Sequence, residues 1–384
     1  MRGLRKWTGA VVAATASASM AVAFDAGPAA ADPPGTLISA ESQSDGFHGI
    51  PGGSVVRYWM AGSDGAPKQA SGALFVPAGP APESGWPIVA FDHGTTGLGM
   101  GCGGKSDPST APYDHFIADE DTIMRSLVSQ GYAVVAPDYL GLGLYDTGPH
   151  PYLELQSEAT ATIDMVRAAR AARPELSGTW AVLGLSQGGQ AALSTSHLQA
   201  TYSPDLDFRG TIAIDPESDV EKALAIAGPS TPAIPGTAET VGYLTDILAG
   251  LRAARPDATV DSYLTLLGHS VLDRIGTMCQ PQINATLSDL GIGQLLSRPL
   301  SDGPLLGAVD SYMAVPTNGY NRPILLLLNA TDTSVPSPLH AALVAQFAGN
   351  GVDFRSVVGT GTHTQLNPQM WAALNDFLAS RVRQ

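Results

Sequence analysis

Gly184-Leu185-Ser186-Gln187-Gly188-Gly189 decides how this chain is read. The run Trp180-Ala181-Val182-Leu183 before it is apolar and has strand character. The run Gln190-Ala191-Ala192-Leu193-Ser194 after it is a good helix former. Strand, tight glycine-rich turn and helix form the setting in which G-x-S-x-G presents a serine for nucleophilic attack. The turn is strained, and its flanks pack backbone against backbone, so a Cβ there would clash. The turn lifts Ser186 Oγ off the sheet and aims the next backbone N–H at the same point. G-x-S-x-G alone is a weak pattern, since both residues are common. The flanking strand and helix separate it from an ordinary tight turn.

Outward from this turn, strands and helices alternate. Ser54–Met60 and Ser71–Pro77 read as a hairpin, preceded by an irregular arm over 32–53. Ile88-Val89-Ala90-Phe91 is wholly apolar, like a strand buried on both faces. Phe116–Gln130 has helical spacing with Gly131 as its stop, Tyr132–Ala136 is a further strand, and Leu153–Ala172 is helical. Gly210–Ile214, Ile324–Leu328 and Val352–Val358 read as the later strands, and Met370–Val382 as a closing helix. This alternation predicts a mostly parallel, doubly wound α/β sheet. It breaks over residues 217–320, which carry helix after helix and no convincing strand. Val241, Leu244, Ile247, Leu248 and Leu251 share one face there, as do Val260, Tyr263, Leu264, Leu267 and Val271. Core packing explains these stripes better than a site lining does. The chain therefore divides into core 32–216, helical insertion 217–320 and core 321–384.

Three loops complete a constellation around Ser186. A serine hydroxyl barely ionises near neutral pH and needs a base. His363, in Gly359-Thr360-Gly361-Thr362-His363 after the last strand, has the loop position a base requires. Asp332 lies just past the strand Ile324–Leu328 and would fix the imidazole tautomer. The order Ser186, Asp332, His363 is one in which such triads occur. Asp215 also ends a strand and is the rival acid. His93 precedes the serine and reads as structural. His197 and His340 lie on helices, and His269 in the insertion. The turn Asp92-His93-Gly94-Thr95-Thr96-Gly97 follows a buried strand upstream of the serine. Two backbone donors must converge on the developing alkoxide. Thr95 N–H and Gln187 N–H are the candidates, with the Thr96 hydroxyl assisting. A flexible surface loop is the plain alternative for this turn.

The N-terminus reads as an export leader. Arg2, Arg5 and Lys6 precede an alanine-rich apolar run from Val11 to Phe24, and Ala29-Ala30-Ala31 is an A-x-A site, so cleavage is expected after Ala31. The apolar run falls short of the about 20 residues a membrane span needs. The chain has 44% apolar and 14% charged residues and a formal net charge of −15. Nothing in that balance would neutralise phosphates or dock on an anionic membrane. Two cysteines in an exported chain read as one disulfide, Cys102 to Cys279, rather than two buried thiols.

The chain resembles the secretory lipase family, a lipase-A-like group of α/β-hydrolases. The resemblance is carried by the hairpin Ser54–Trp59 to Ser71-Gly72, the turn Asp92–Gly97, Pro137-Asp138-Tyr139-Leu140-Gly141-Leu142-Gly143 and His150-Pro151-Tyr152. The elbow Gly184–Gly189 and the Asp332 and His363 loops complete it. It implies an exported serine esterase or lipase with a mostly helical cap, acting on small-molecule or lipid esters and using no metal or organic cofactor. It supports the triad Ser186, Asp332 and His363. A serine peptidase or acyltransferase on the same scaffold, or a binding module without catalysis, stays open at this level, as do acyl chain length and oligomeric state.

Overall fold

Alternating side chains along the central strands go to opposite faces of the sheet, and each face is closed by helices. The computed structural model describes residues 31–106, 114–234 and 236–383. All but the last residue of the leader read over 1–31 lies outside them, as does the end of the glycine-rich loop that follows Gly99. The strands are β1 (Leu37–Gln43), β2 (Gly53–Ala61), β3 (Pro67–Phe75), β4 (Trp86–Asp92), β5 (Ala133–Pro137), β6 (Leu176–Leu185), β7 (Asp207–Ile214), β8 (Ile324–Asn329) and β9 (Phe354–Gly359). They form one sheet in the order β1-β2-β3-β5-β4-β6-β7-β8-β9. The β1–β2, β2–β3 and β3–β5 pairs are antiparallel, and every pair from β5–β4 to β8–β9 is parallel.

Helices α1 (Asp114–Ser129), α2 (Leu155–Ala172) and α3 (Gln187–Tyr202) connect the first parallel strands. On β6, Ala181 and Leu183 join the apolar cluster that holds Met124 and Leu127 of α1. Trp180 and Val182 join the opposite cluster, with Ile163 and Val166 of α2 and Ala191 of α3. This two-sided burial is why the central strands read as unbroken apolar runs. The predicted irregular arm over 32–53 needs one correction, because Leu37–Gln43 is the edge strand β1. Its polar sequence has no apolar alternation; the exposed ladder of β2 recruits it, helped by an ion pair between Arg57 and Glu41.

Residues 217–320 hold helices and no strand among the described residues. These are α4 (Glu221–Leu224), α5 (Ala238–Ala254), α6 (Leu266–Ile275), α7 (Gln280–Thr286), α8 (Ile292–Leu295) and α9 (Leu305–Met313). They share an apolar core in which Val241, Leu248, Tyr263, Leu295 and Val309 are buried together with Leu98, Tyr152 and Leu153 of the preceding chain. The two predicted stripes fill that core, except that Leu267 is 42% exposed. Helices α10 (Ser337–Gly349) and α11 (Pro368–Arg381) return the chain to the sheet.

The insertion is fastened to the end of β4. Gln280 N–H donates to Thr96 O at 2.9 Å, and Leu98 N–H donates to Met278 O at 2.9 Å. Beside these bonds Cys102 and Cys279 form a disulfide, with Cα atoms 5.3 Å apart and a sequence separation of 177. Closing so long a loop is worth at most about 5 kcal/mol in the chain-entropy account. The backbone bonds and the large core remain without it, so Cys102→Ser with Cys279→Ser should still fold. Its thermal melt should fall by several degrees, and activity should be lost before far-ultraviolet circular dichroism changes. Mass spectrometry after alkylation of the native protein should find no free thiol; two labelled cysteines would exclude the bond in solution.

Candidate active site

β6 runs straight into the elbow. Ser186 follows Leu185 with φ 56° and ψ −122°, and α3 begins at the next residue. A β-carbon on Gly184 would lie 1.9 Å from Gly188 O, and one on Gly188 would lie 2.0 Å from Asp92 O. No side chain fits either place. Holding a non-glycine residue at positive φ costs on the order of 1–3 kcal/mol. The surroundings fix it: Ser186 N–H donates to Ile214 O at 2.9 Å, and Gln190 and Glu217 N–H both donate to Ser186 O.

The structure brings Ser186, His363 and Asp332 together. His363 Nε2 lies 2.8 Å from Ser186 Oγ, and His363 Nδ1 lies 2.6 Å from Asp332 Oδ2. The three loops follow β6, β8 and β9, all at the carboxyl end of the parallel strands. Asp332 Oδ1 accepts from Ser334 and Val335 N–H, which fixes the carboxylate plane. Burial works against a charged His363, but the Asp332 hydrogen bond and the carboxylates of Asp332, Asp215 and Glu217 outweigh it and raise its pKa. Burial alone would raise Asp332; hydrogen bonds from His340 and His363 hold it well below the usual carboxylate range instead. The geometry thus provides a proton acceptor on the serine and an anion behind it.

The turn after β4 packs against the start of α3. Gly94 N–H donates to Glu120 Oε1 at 2.9 Å, and Glu120 in turn pairs with the buried Lys105. Tyr139 hydroxyl donates to His93 O at 3.1 Å, and Thr95 Oγ1 lies 2.9 Å from the Tyr152 hydroxyl. Gln187 opens α3, so its N–H has no carbonyl one turn earlier within the helix to donate to. His93 is fully buried with Nδ1 on Gly94 O, the structural placement expected of it.

Residues 112–288 match the family described as Secretory lipase. This segment of the chain belongs to that family. The match takes in Ser186, Gln187 and most of the insertion, while Asp332, His363 and Thr95 lie outside it. The fold is an α/β-hydrolase fold, similar to lipase A of Candida antarctica at 19% identity and TM-score 0.70, covering 91% of this chain and 83% of that one. It is equally similar to the rice cell wall degrading esterase LipA of Xanthomonas oryzae, at 20% identity and TM-score 0.70, covering 90% of this chain and 95% of that one. No curated protein matches the chain by sequence.

The structure separates the two rival acids. Asp215 Oδ1 accepts from Asn329 N–H at 2.7 Å, and Oδ2 accepts from Asn329 Nδ2 at 2.7 Å and Thr364 N–H at 2.8 Å. It therefore clamps the loops that carry Asp332 and His363, while Asp332 itself meets the imidazole. His340, which the sequence left on a helix without a role, places Nε2 3.1 Å from Asp332 Oδ2 and 3.5 Å from Asp215 Oδ1. Asp215, Asp332 and His340 crowd their donor atoms within 4.8 Å. Every carboxylate oxygen among them already accepts an N–H, so the set is spent on hydrogen bonds and does not suit a metal ion. Glu158 and His150 were also missed as partners. Both contact Gln187 Nε2 at 2.7 Å and fix the residue after the serine from behind. Glu158 lies on α2, where Ser157 to Val166 are all buried, a placement the plain helical reading of this segment did not give.

Asp332→Asn should lower the turnover rate on the order of 10⁴-fold with the fold intact, by presenting the wrong imidazole tautomer. Asp215→Asn should lower turnover far less and the melting temperature more; the reverse ranking would refute the assignment. The raised pKa of His363 has a kinetic consequence. The base form is lost as pH falls through that pKa, so the acid limb of kcat/KM should have its midpoint above the ordinary histidine value of 6.5. A pH–rate profile with its midpoint below that value would contradict the geometry.

Proposed function

We propose that the chain is an exported carboxylic-ester hydrolase that works through an acyl-enzyme at Ser186. The observation that carries this reading is His363 held between Ser186 Oγ at 2.8 Å and Asp332 Oδ2 at 2.6 Å. Ser186 Oγ attacks the ester carbonyl while its proton passes to His363 Nε2. Asp332 stabilises the imidazolium that results. Thr95 N–H and Gln187 N–H receive the negative oxygen of the tetrahedral intermediate. Collapse breaks the ester C–O bond, and His363 returns the proton to the departing alcohol. Water, deprotonated by His363, then attacks the acyl-serine and frees the acid. The insertion 217–320 acts as the cap over this site, and residues 1–31 as the leader that exports the chain. Membership of residues 112–288 in the secretory lipase family supports esters over peptides as substrates. No helix among the described residues is long and apolar enough to cross a membrane.

The reading is tested with p-nitrophenyl esters of graded chain length and a fluorophosphonate probe. Hydrolysis should be measurable, the probe should label Ser186 alone, and Ser186→Ala should abolish both. Labelling that survives the substitution, or faster cleavage of aminoacyl amides than of acyl esters, would overturn it in favour of another nucleophile or a peptidase.

A further inference from the structure

The loop after β7 carries two buried acids. Asp215 clamps the loops of Asp332 and His363 through Asn329 and Thr364. Glu217, two residues on, is 6% exposed, and its Oε1 accepts from the Tyr152 hydroxyl at 3.0 Å. The Tyr152 oxygen lies 2.9 Å from Thr95 Oγ1. A phenol carries one proton, and Tyr152 gives it to Glu217, so Thr95 donates to Tyr152. The same acid reaches the elbow, because Glu217 N–H donates to Ser186 O at 3.3 Å. A chain of hydrogen bonds therefore joins Thr95 to the backbone of Ser186. Burial raises the Glu217 pKa, the Tyr152 hydrogen bond and His363 oppose the rise, and Asp332 adds to it. A side chain placed there for packing alone would avoid that cost by being apolar.

The peptide between Gly94 and Thr95 carries the N–H that the ester-hydrolysis reading sets on the oxyanion. Its carbonyl, Gly94 O, lies 2.7 Å from His93 Nδ1. One residue earlier, Gly94 N–H is held by Glu120 at 2.9 Å. These bonds fix the leading side of the peptide. Thr95 on the other side is half-buried, and its hydroxyl is tied to Tyr152. Tyr152 is a firm anchor. It is fully buried in the apolar core that the insertion shares, and its backbone O accepts from the Tyr312 hydroxyl at 2.9 Å. A β-carbon on Gly250 of α5 would lie 2.6 Å from Tyr152 N, so α5 packs directly on its backbone.

We propose that Tyr152 and Glu217 are positioning residues for Thr95, holding the Gly94–Thr95 peptide so that its N–H stays on the developing oxyanion. This deepens the ester-hydrolysis reading and rests on it. Oxyanion donors act by being in place before the charge develops. A displacement of about 1 Å costs on the order of 10²-fold in rate. Because Glu217 bonds both Tyr152 and Ser186 O, one residue sets the spacing between the attacking hydroxyl and this donor. The β7 loop thereby braces both sides of the site, with Asp215 on the base and Glu217 on the oxyanion turn.

The test uses p-nitrophenyl esters and a trifluoromethyl ketone of matching chain, to whose carbonyl Ser186 Oγ adds to leave an oxyanion. Tyr152→Phe keeps the ring in its apolar core and removes the hydroxyl. Thr95→Val keeps the N–H and the shape and removes the same bond from its other end. Each should lower kcat and kcat/KM alike by about tenfold to a hundredfold, because the lost interaction belongs to the transition state. Affinity for the ketone should fall by the same factor. The double variant should resemble the worse single one, since both break one bond. Thr95→Ser should recover most of the loss seen in Thr95→Val. Glu217→Gln, which keeps an acceptor, should recover most of the loss seen in Glu217→Leu. Circular dichroism melts report whether each variant folds. A lower melting temperature with kcat and ketone affinity unchanged makes the hydrogen bonds structural only and overturns the proposal. Additive losses in the double variant overturn it as well, since Tyr152 would then not act through Thr95. In both cases wild-type protein still cleaves esters, and the hydrolase reading stands. Wild-type protein that cleaves no ester and binds no ketone overturns the hydrolase reading, and the positioning role with it.

Discussion

Two backbones touch at the foot of Ser186, and much of the site depends on that contact. Gly188 presses on Asp92 O, and Gly184 presses on Gly188 O, at distances that leave no room for a β-carbon. This close approach brings β4 and its turn alongside the start of α3. It also bends the chain between β6 and α3 so sharply that Ser186 takes φ 56°. The serine is thereby set at the junction of the sheet, the start of α3 and the 92–97 turn. A bend with that strain persists only where its neighbours over-determine it. The Ile214, Gln190 and Glu217 backbone groups on either side of Ser186 do so.

A second layer of buried polar groups holds the loops that carry the other roles. Glu120 grips Gly94 from below and is itself neutralised by Lys105. Glu158 and His150 grip the Gln187 side chain. Asp215 ties the Asn329 loop to Thr364, next to His363. Each carboxyl is taken out of water and recovers the cost through hydrogen bonds to backbone or side-chain N–H. Loops otherwise free to move are fixed this way at the ends of rigid strands. His340 adds a second imidazole on Asp332 Oδ2 while the Ser334 and Val335 N–H groups occupy Oδ1, and the acid stays ionised.

The insertion packs into an apolar core that also takes in Leu98, Tyr152 and Leu153 of the sheet domain, and directed bonds hold it to that domain. Met278 and Gln280 pair with the backbone of Thr96 and Leu98, and the Cys102–Cys279 bond sits beside them. The apolar stripes of α5 and of the segment 260–271 pack into that core, with Leu267 left exposed. A stripe on a helix records that some face is buried, and it cannot say against what.

The sequence by itself determined the alternating sheet, the helical insertion, the elbow and the candidates Ser186, Asp332 and His363. These depend on local pattern and chain order: apolar runs of strand length, glycines where a Cβ would clash, and a polar residue just past each strand. Tertiary structure decided the rest. Edge strand β1 has no apolar alternation and exists because β2 offers it a free ladder. Asp215 and Asp332 look alike in sequence, each ending a parallel strand. Only their surroundings differ, since backbone N–H groups consume one and an imidazole reaches the other. The parts played by Glu158, His150 and His340 are likewise invisible in sequence. Glu158 and His340 lie on helices and His150 in a loop, and burial against distant segments, which no local pattern encodes, makes each a partner of the site.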